Sequence, residues 1–440
     1  MSPRARALAS LVLVEILVVV TVVFVIWAAG SPPARQALIL RVVMVSLVIF
    51  VAILFLRYFT LLWFAYLEHA ERNVMGRGEP TVLPPISIIM PAYNEGDVIE
   101  GALASLARLD YPLYEVVVVD DGSQDDTFRK AVAWEGWHGN AEYRAVTKRN
   151  GGKASALNVG ISVSKHPFLF CMDADSRLEP WTLRMAIRGF EDPSVGAVAG
   201  NVKVENRRSL ITSLQALEYI EGLNLPRRAQ GFIAAVNIVP GPVGLFRRET
   251  LEEVGGYDTD TFAEDADLTL KMVSQGWKVV YEDDAIAWTQ APDRWLDLVQ
   301  QRYRWTRGIL QSLKKRKGLL FRPFPDFPLW ISALEMAFEA VIWPILNLYA
   351  HLFFALVALL FGAGELLLYW WVLLTLLDLV AAFVTVSMEE ESLALVPLAL
   401  IYRFFFVLFL DVVKTFAALE ELFNLGMSWE KVRRVPTSST

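Results

Sequence analysis

Three acidic clusters and one cationic–aromatic cluster hold the residues able to do chemistry in this chain of 440 residues. Asp173-Ala174-Asp175 sets two carboxylates one residue apart. Their charges repel, and a hard divalent cation, Mg2+ or Mn2+, would take such oxygens as ligands while keeping positions open for phosphate. Thr261-Phe262-Ala263-Glu264-Asp265-Ala266-Asp267 is a second acidic run, ahead of an amphipathic stretch over Leu268–Gln275. Capping and dipole compensation account for one or two of its carboxylates. Another is suited to act as a general base on an acceptor hydroxyl. Of the Asp120-Asp121 pair, Asp120 suits a turn cap and Asp121 suits a hydrogen bond from a nucleobase N–H. In Gln301-x-x-Arg304-Trp305 the i, i+3 and i+4 positions of a helix share a face. The guanidinium suits a diphosphate and the indole a sugar ring. An amphipathic helix at a membrane surface accounts for the same pattern.

These residues need a scaffold, and the stretch after Pro84 supplies one. Short apolar runs alternate with amphipathic stretches, the pattern of a parallel α/β sheet. Strands are predicted at Ile86–Met90, Glu115–Asp120, Tyr143–Val146, Phe168–Met172 and Val195–Ala199. Helices are predicted at Asp97–Arg108, Asp126–Trp134 and Lys153–Ser164. Ligands of open parallel sheets bind beyond the carboxyl ends of the strands. There the chain reads Pro91-Ala92-Tyr93-Asn94-Glu95, Asp120-Asp121-Gly122-Ser123, Lys148–Lys153 and Asp173-Ala174-Asp175-Ser176. Lys153, just past Gly151-Gly152 at a predicted helix start, suits a diphosphate, although the glycines also fit a plain tight turn. No G-x-G-x-x-G opens any of these helices, which argues against a dinucleotide site.

Composition sets the surroundings. The hydrophobic fraction is 55%, and the excess lies at the two ends of the chain. A membrane-spanning helix needs about 20 apolar residues. Leu8–Ala29 and Val42–Leu56 with its flanks supply two such runs, and Trp330–Leu360, Leu366–Val386 and Leu393–Leu419 supply three more. The first run is longer than a secretory signal core of about 7–15 residues. Arg4, Arg6, Arg57, Arg72 and Arg77 bracket the first pair, so a cytosolic N-terminus and middle domain are expected. Lys314–Lys317 suits an anionic inner leaflet, or a solvated helix end. The net charge of −7 argues against nucleic acid. One cysteine, Cys171, leaves no intrachain disulfide, and four histidines make a zinc site a poor expectation.

Together these residues resemble family-2 glycosyltransferases with the GT-A fold. They are most similar to the membrane synthases of cellulose, chitin, hyaluronan and poly-N-acetylglucosamine. Those carry, in order, D, D-x-D, T/A-E-D and Q-x-x-R-W, read here as Asp121, Asp173-Ala174-Asp175, Ala263-Glu264-Asp265 and Gln301–Trp305. The resemblance implies a GT-A α/β domain with a Rossmann-like, mostly parallel sheet, between transmembrane helices. It implies residues 1–80 as an N-terminal membrane region with two spans, 81–292 as the cytosolic transferase, and 293–328 as an interfacial segment. Residues 329–420 would be a C-terminal bundle and 421–440 a basic cytosolic tail.

The resemblance also implies roles. Asp121 would contact uracil, with Ala92 and Glu95 nearby. Asp173 and Asp175 would hold ribose–diphosphate and Mg2+ or Mn2+, and Lys153 would face the diphosphate. Asp265 would be the catalytic base beside Glu264. Gln301 and Arg304 would bind diphosphate, Trp305 would stack on the acceptor sugar, and Gly241 of Pro240-Gly241-Pro242 would lie beneath it. The implied reaction is inverting transfer from a UDP-sugar, first UDP-GlcNAc, to the non-reducing end of a growing β-linked glycan that leaves through a multi-pass plasma-membrane protein. Membrane lipids would surround it, and the resemblance leaves room for a small accessory membrane subunit.

Two departures stand out. Ala263 replaces the usual Thr, and Val239-Pro240 stands where some members place a polar residue or Cys. UDP-glucose as donor, single-sugar transfer to a lipid phosphate, and a non-catalytic membrane scaffold are the competing readings. Within the apolar segments Glu335, Glu339, Asn347, His351, Arg403 and Asp411 are expected to face a cavity or to snorkel. Three C-terminal spans would put the basic Trp429–Arg434 outside, against the charge rule, so one apolar segment is interfacial or the rule fails.

Overall fold

The computed structural model describes residues 23, 27, 30–75, 78, 80, 82–321, 327–362 and 364–424. The first apolar run lies almost wholly outside these residues, and the basic tail at Trp429–Arg434 lies outside them entirely. The described residues fall into two compact units, one within Phe64–Met336 and the other built from those up to Trp63 together with those from Ala337 onward.

The first unit is built on one nine-stranded sheet of order β3-β4-β2-β1-β5-β8-β7-β9-β6. Its strands are β1 (Ile86–Ala92), β2 (Tyr114–Asp120), β3 (Gly136–His138), β4 (Ala141–Thr147), β5 (Phe168–Cys171), β6 (Arg177–Leu178), β7 (Val195–Val204), β8 (Gly244–Arg247) and β9 (Lys278–Thr289). β1, β2 and β7 are buried along their whole length, as expected of central strands covered on both faces. Helix Lys153–Val163 packs Ala156 against Val117 and Val119 of β2.

Strands β4, β2, β1 and β5 are parallel, and Ala92, Asp120 and Thr147 share one register level at their carboxyl ends. The parallel order expected runs through these four strands, and beyond them the sheet is mixed. β8 runs antiparallel to both β5 and β7, while β7 and β9 are parallel. The reversal has a consequence for the site. Gly244, at the start of β8, pairs with Cys171 at the end of β5, so the loop before β8 meets the same edge as Asp173.

The second unit is helical. Four described helices are long and apolar enough to cross a membrane: Pro33–Glu71, Phe327–Leu360, Leu367–Met388 and Leu393–Leu422. Leu54, Trp343, Trp370 and Leu374 form one of its cores, and Val43 with Val357 another. Several of its buried and half-buried polar groups pair with one another. Arg403 forks onto Asp378 and also donates to Tyr58, at 2.6 Å. Asn347 donates to Asp411 at 2.7 Å, and Arg57 meets Glu339 at 2.5 Å. Of the polar residues expected to face a cavity or partner, these four therefore have partners inside the unit.

Candidate active site

At the carboxyl end of β2, Asp120 accepts from the Ser123 N–H and the Thr147 hydroxyl. It is the turn cap expected. Asp121 is buried, and its N–H reaches the Ala92 carbonyl at 2.8 Å. Its carboxylate accepts from Lys148 Nζ at 2.5 Å, from Gly151 N–H at 3.0 Å and from Gly152 N–H at 2.7 Å. A carboxylate offers about four acceptor positions, so Asp121 is already largely occupied by its own loop. Lys148, which the motif reading passed over, is its cationic partner. Glu95 opens the next helical turn, with its N–H on Thr127 Oγ1 at 2.8 Å.

Beyond β5 lies the centre of the site. Lys153, at the first turn of its helix, places Nζ 2.6 Å from Asp173 and 2.8 Å from Glu264. Burial pulls this ammonium down, and Asp173, Glu264 and Asp265 more than offset it, so it is held above its ordinary value. Gly241 sits against this pair. A Cβ there would stand 2.7 Å from Lys153 Nζ and 3.1 Å from an Asp173 oxygen, so a side chain on the Pro240-Gly241-Pro242 loop would push these two groups aside. Lys153, Cys171, Gly241, Tyr257, Glu264 and Asp265 line a small hollow of about 10 Å³, roughly the room of one water.

Asp265 projects from the first turn of the helix Glu264–Ser274. That helix was expected from Leu268. It starts four residues earlier, because the Asp267 N–H already bonds the Ala263 carbonyl at 3.0 Å and Glu264, Asp265 and Asp267 compensate its dipole. Ala263 is the N-cap and supplies no side-chain bond. Burial and the neighbouring Glu264 push the Asp265 carboxyl up to about 6, against the pull of Lys153 and the Ala266 N–H. Thr269, fully buried, donates to the Asp265 carbonyl at 2.7 Å and accepts from the Val239 N–H at 2.9 Å. It ties the Val239 loop to the Asp265 turn, a contact with no motif to signal it.

The three acids of this run therefore have three separate jobs. Glu264 holds Lys153 and Asp265 faces the hollow, whereas Asp267 turns away. Asp258, Asp260 and Asp267 lie close enough together to hold a metal ion, yet Lys315 bonds all three and Arg316 reaches Asp267. This is an internal ion-pair knot. Within the Lys314–Lys317 block, expected at an anionic leaflet or a solvated helix end, Lys315 and Arg316 are committed to these carboxylates. Glu282, Asp283 and Asp284 form another such group, bonded by Arg188 and Arg228.

A resident divalent cation fits Asp173 and Asp175 by donor chemistry. Both offer hard carboxylate oxygens at one strand end, and Asp173 keeps part of its side chain open. Cys171 is buried, and burial pushes its thiol up to about 12, so it stays a protonated strand residue and is no nucleophile.

The helix Trp295–Lys315 carries the remaining motif. Gln301 is buried and its Oε1 accepts from Arg302. Arg302, absent from the expected set, is 2% exposed and forks onto Glu218 at 2.9 and 2.6 Å. Its guanidinium lies 4.3 Å from the Trp305 ring centre, and Tyr219 flanks the same indole at 6.4 Å. Trp305 is thus held in an aromatic–cation stack, while Arg304 stays half-buried. Glu218 lies 84 residues from Arg302, so no local pattern announces the pair. Gly308 seats this helix on the acidic loop: a Cβ there would come within 2.4 Å of Ala263 N.

Known proteins match this arrangement. The family described as "Glycosyltransferase like family 2" matches residues 84–308. A poly-beta-1,6-N-acetyl-D-glucosamine synthase of Staphylococcus epidermidis is 31% identical over 240 residues, 54% of this chain and 58% of its own length. The synthase of the same name from Staphylococcus aureus strain MSSA476 is 31% identical over 262 residues, 59% of this chain and 63% of its own. The chain spans about three-fifths of the length of these curated relatives. In structure it is similar to a mannosyltransferase from Pyrobaculum calidifontis solved with GDP-Man and Mn2+. The TM-score is 0.57 at 23% identity, over 85% of this chain and 98% of that one, a likeness of fold. With the family match covering just over half of its length and the GT-A sheet beneath it, the chain belongs to the family-2 glycosyltransferases.

Proposed function

We propose that the chain transfers a sugar, with inversion, from a UDP-sugar to the non-reducing end of a growing β-linked polysaccharide and passes the product through its membrane helices. The observation that carries the reading is Asp265, a carboxylate raised to about 6 at the mouth of the hollow beside Lys153 and the Gly241 loop. In this reading Asp265 takes the proton of the acceptor hydroxyl. The freed oxygen forms a bond to the anomeric carbon as the bond from that carbon to the diphosphate oxygen breaks, and UDP leaves with the electron pair. One displacement turns an α-linked donor into a β-linked product.

Lys153, Arg304 and the Gln301 amide N–H groups stabilise the departing diphosphate. Gln301 Oε1 is taken by Arg302, which leaves the N–H groups as the end of the amide for a ligand. Asp121, with Ala92 and Glu95 beside it, would share its carboxylate between Lys148 and the uracil N–H. Trp305 would stack on the acceptor sugar, with Gly241 beneath it. A cation on Asp173 and Asp175, Mg2+ or Mn2+, would neutralise charge on the diphosphate. The Mn2+ in the mannosyltransferase of like fold supports a metal here.

UDP-GlcNAc is the first donor, supported by the 31% identity to poly-N-acetylglucosamine synthases. The four apolar helices support a multi-pass membrane protein, and the arginines that bracket the first pair of apolar runs support a transferase unit on the cytosolic face of the plasma membrane. The test is UDP release by the full chain in lipid nanodiscs, with UDP-GlcNAc, UDP-glucose and UDP-glucuronate offered separately with Mg2+ or Mn2+, and with products sized. A long product from UDP-GlcNAc is expected. A product of one sugar on a lipid overturns the polymer reading, and turnover with UDP-glucose alone overturns the donor.

A further inference from the structure

The helical run Leu210–Phe232 changes to π geometry over Tyr219–Asn224 and resumes through Pro226. Just past that irregular turn comes Arg227, 7% exposed. Its neighbour Arg228 is ion-paired, with Asp283 at 2.7 Å and Glu68 at 3.5 Å. Arg227 is not. Among the described residues its one side-chain bond is to the neutral Asn224 Oδ1, at 3.4 Å. Asn224 is itself fixed, donating to Asn201 at 2.8 Å and to the Val202 carbonyl at 3.1 Å.

A buried guanidinium carries five donors and a charge that burial makes costly. Two other buried arginines of this unit, Arg302 and Arg228, meet that cost with carboxylates, and Arg307 bonds the Tyr303 hydroxyl. Burial pulls the Arg227 guanidinium below its ordinary value, and the groups acting the other way are Tyr281, Asp265 and Tyr219. Two of these belong to the reaction site: Asp265 as its base, and Tyr219 as the ring beside Trp305. Arg227 follows Glu218 and Tyr219, the partners of Arg302 and Trp305, on this same helical run, where the missing negative partner can arrive with a substrate.

We infer that Arg227 is a substrate-binding residue whose guanidinium takes anionic oxygens of the bound substrate. Two sources share that chemistry: the diphosphate of the donor, and the carboxylate of an acidic sugar. The inference deepens the glycosyl-transfer reading, and its test does not depend on turnover.

The full chain in nanodiscs would be titrated with Mg2+-pyrophosphate, UDP and glucuronate by calorimetry. Wild type, Arg227→Gln, Arg227→Lys and the exposed control Arg129→Gln would be compared, with folding checked by thermal unfolding. Loss of one charge-assisted bond predicts that Arg227→Gln weakens pyrophosphate and UDP by roughly tenfold or more, with Arg227→Lys between it and wild type and Arg129→Gln unchanged. Weakening of glucuronate alone assigns the acidic sugar. Equal binding of all three probes by Arg227→Gln and wild type overturns the inference, as does a wild type that binds none of them. Binding of pyrophosphate without UDP leaves Arg227 in place and overturns the uridine donor.

Discussion

At Asp265 burial and the charge of Glu264 raise the proton affinity, and Lys153 lowers it. The balance near 6 suits a base working at neutral pH. Two outcomes follow. Turnover should fall as pH drops through about 6, because Asp265 is then protonated; a kcat/KM profile measures this, and a flat profile down to pH about 4, near the free carboxyl value, would exclude Asp265 as the base. Asp265→Asn should cut turnover by about a hundredfold or more while leaving UDP affinity near wild type in a binding titration. The same shift has a stability side. A carboxyl raised in the folded state binds its proton more tightly there than unfolded, so stability falls as pH rises from about 4 to about 6. Above that range Asp265→Asn removes this cost, although it also takes a partner from Lys153.

At the scale of elements, the site is assembled by close approach. Gly308 lets the helix Trp295–Lys315 meet Ala263, and Gly241 lets the loop before β8 meet Lys153 and Asp173. The small Ala263 is part of the same contact: its Cβ would stand 2.4 Å from a Cβ at position 308. Thus the departure from Thr is absorbed by helix packing, and the lost N-cap bond is offset by the acidic first turn. Gly308→Ala should displace the backbone that carries Asp265. The expected result is a loss of about 1–3 kcal/mol by denaturant unfolding, together with reduced turnover. Gly241→Ala meets only the end of Lys153 and an Asp173 carboxylate. It should leave the fold intact and weaken donor binding, seen as a raised KM for the nucleotide sugar.

For the whole molecule, the helical unit holds a buried ion pair inside its apolar shell. Arg403 and Asp378 are 3% and 1% exposed in their side chains. Removing one member of a buried pair costs about 3–5 kcal/mol, because the other charge is left stranded. Asp378→Asn should therefore lower the thermal midpoint of the detergent-purified protein, followed by fluorescence-detected size exclusion, more than Asp378→Asn with Arg403→Gln does. Similar midpoints for the single and double variants would show that the pair does not act as a unit.

The amino-acid sequence by itself determined the division into apolar ends and an α/β middle, the strands whose carboxyl ends carry Asp121 and Asp173, and the acidic and Gln301–Trp305 segments. These are local properties, since hydrophobic period, turn residues and motif spacing are all written within a few residues of chain. Only the tertiary structure decided which charges meet. Lys148 on Asp121, Glu218 on Arg302 and the Lys315 knot join residues 27 to 84 positions apart. Nothing in the sequence near Asp267 says that it turns to Lys315 while Asp265 faces the hollow. The same holds for β8, whose reversed direction brings Gly241 to Asp173. Pairing of charges and strand direction depend on how distant segments pack, and that is settled only when the chain closes on itself.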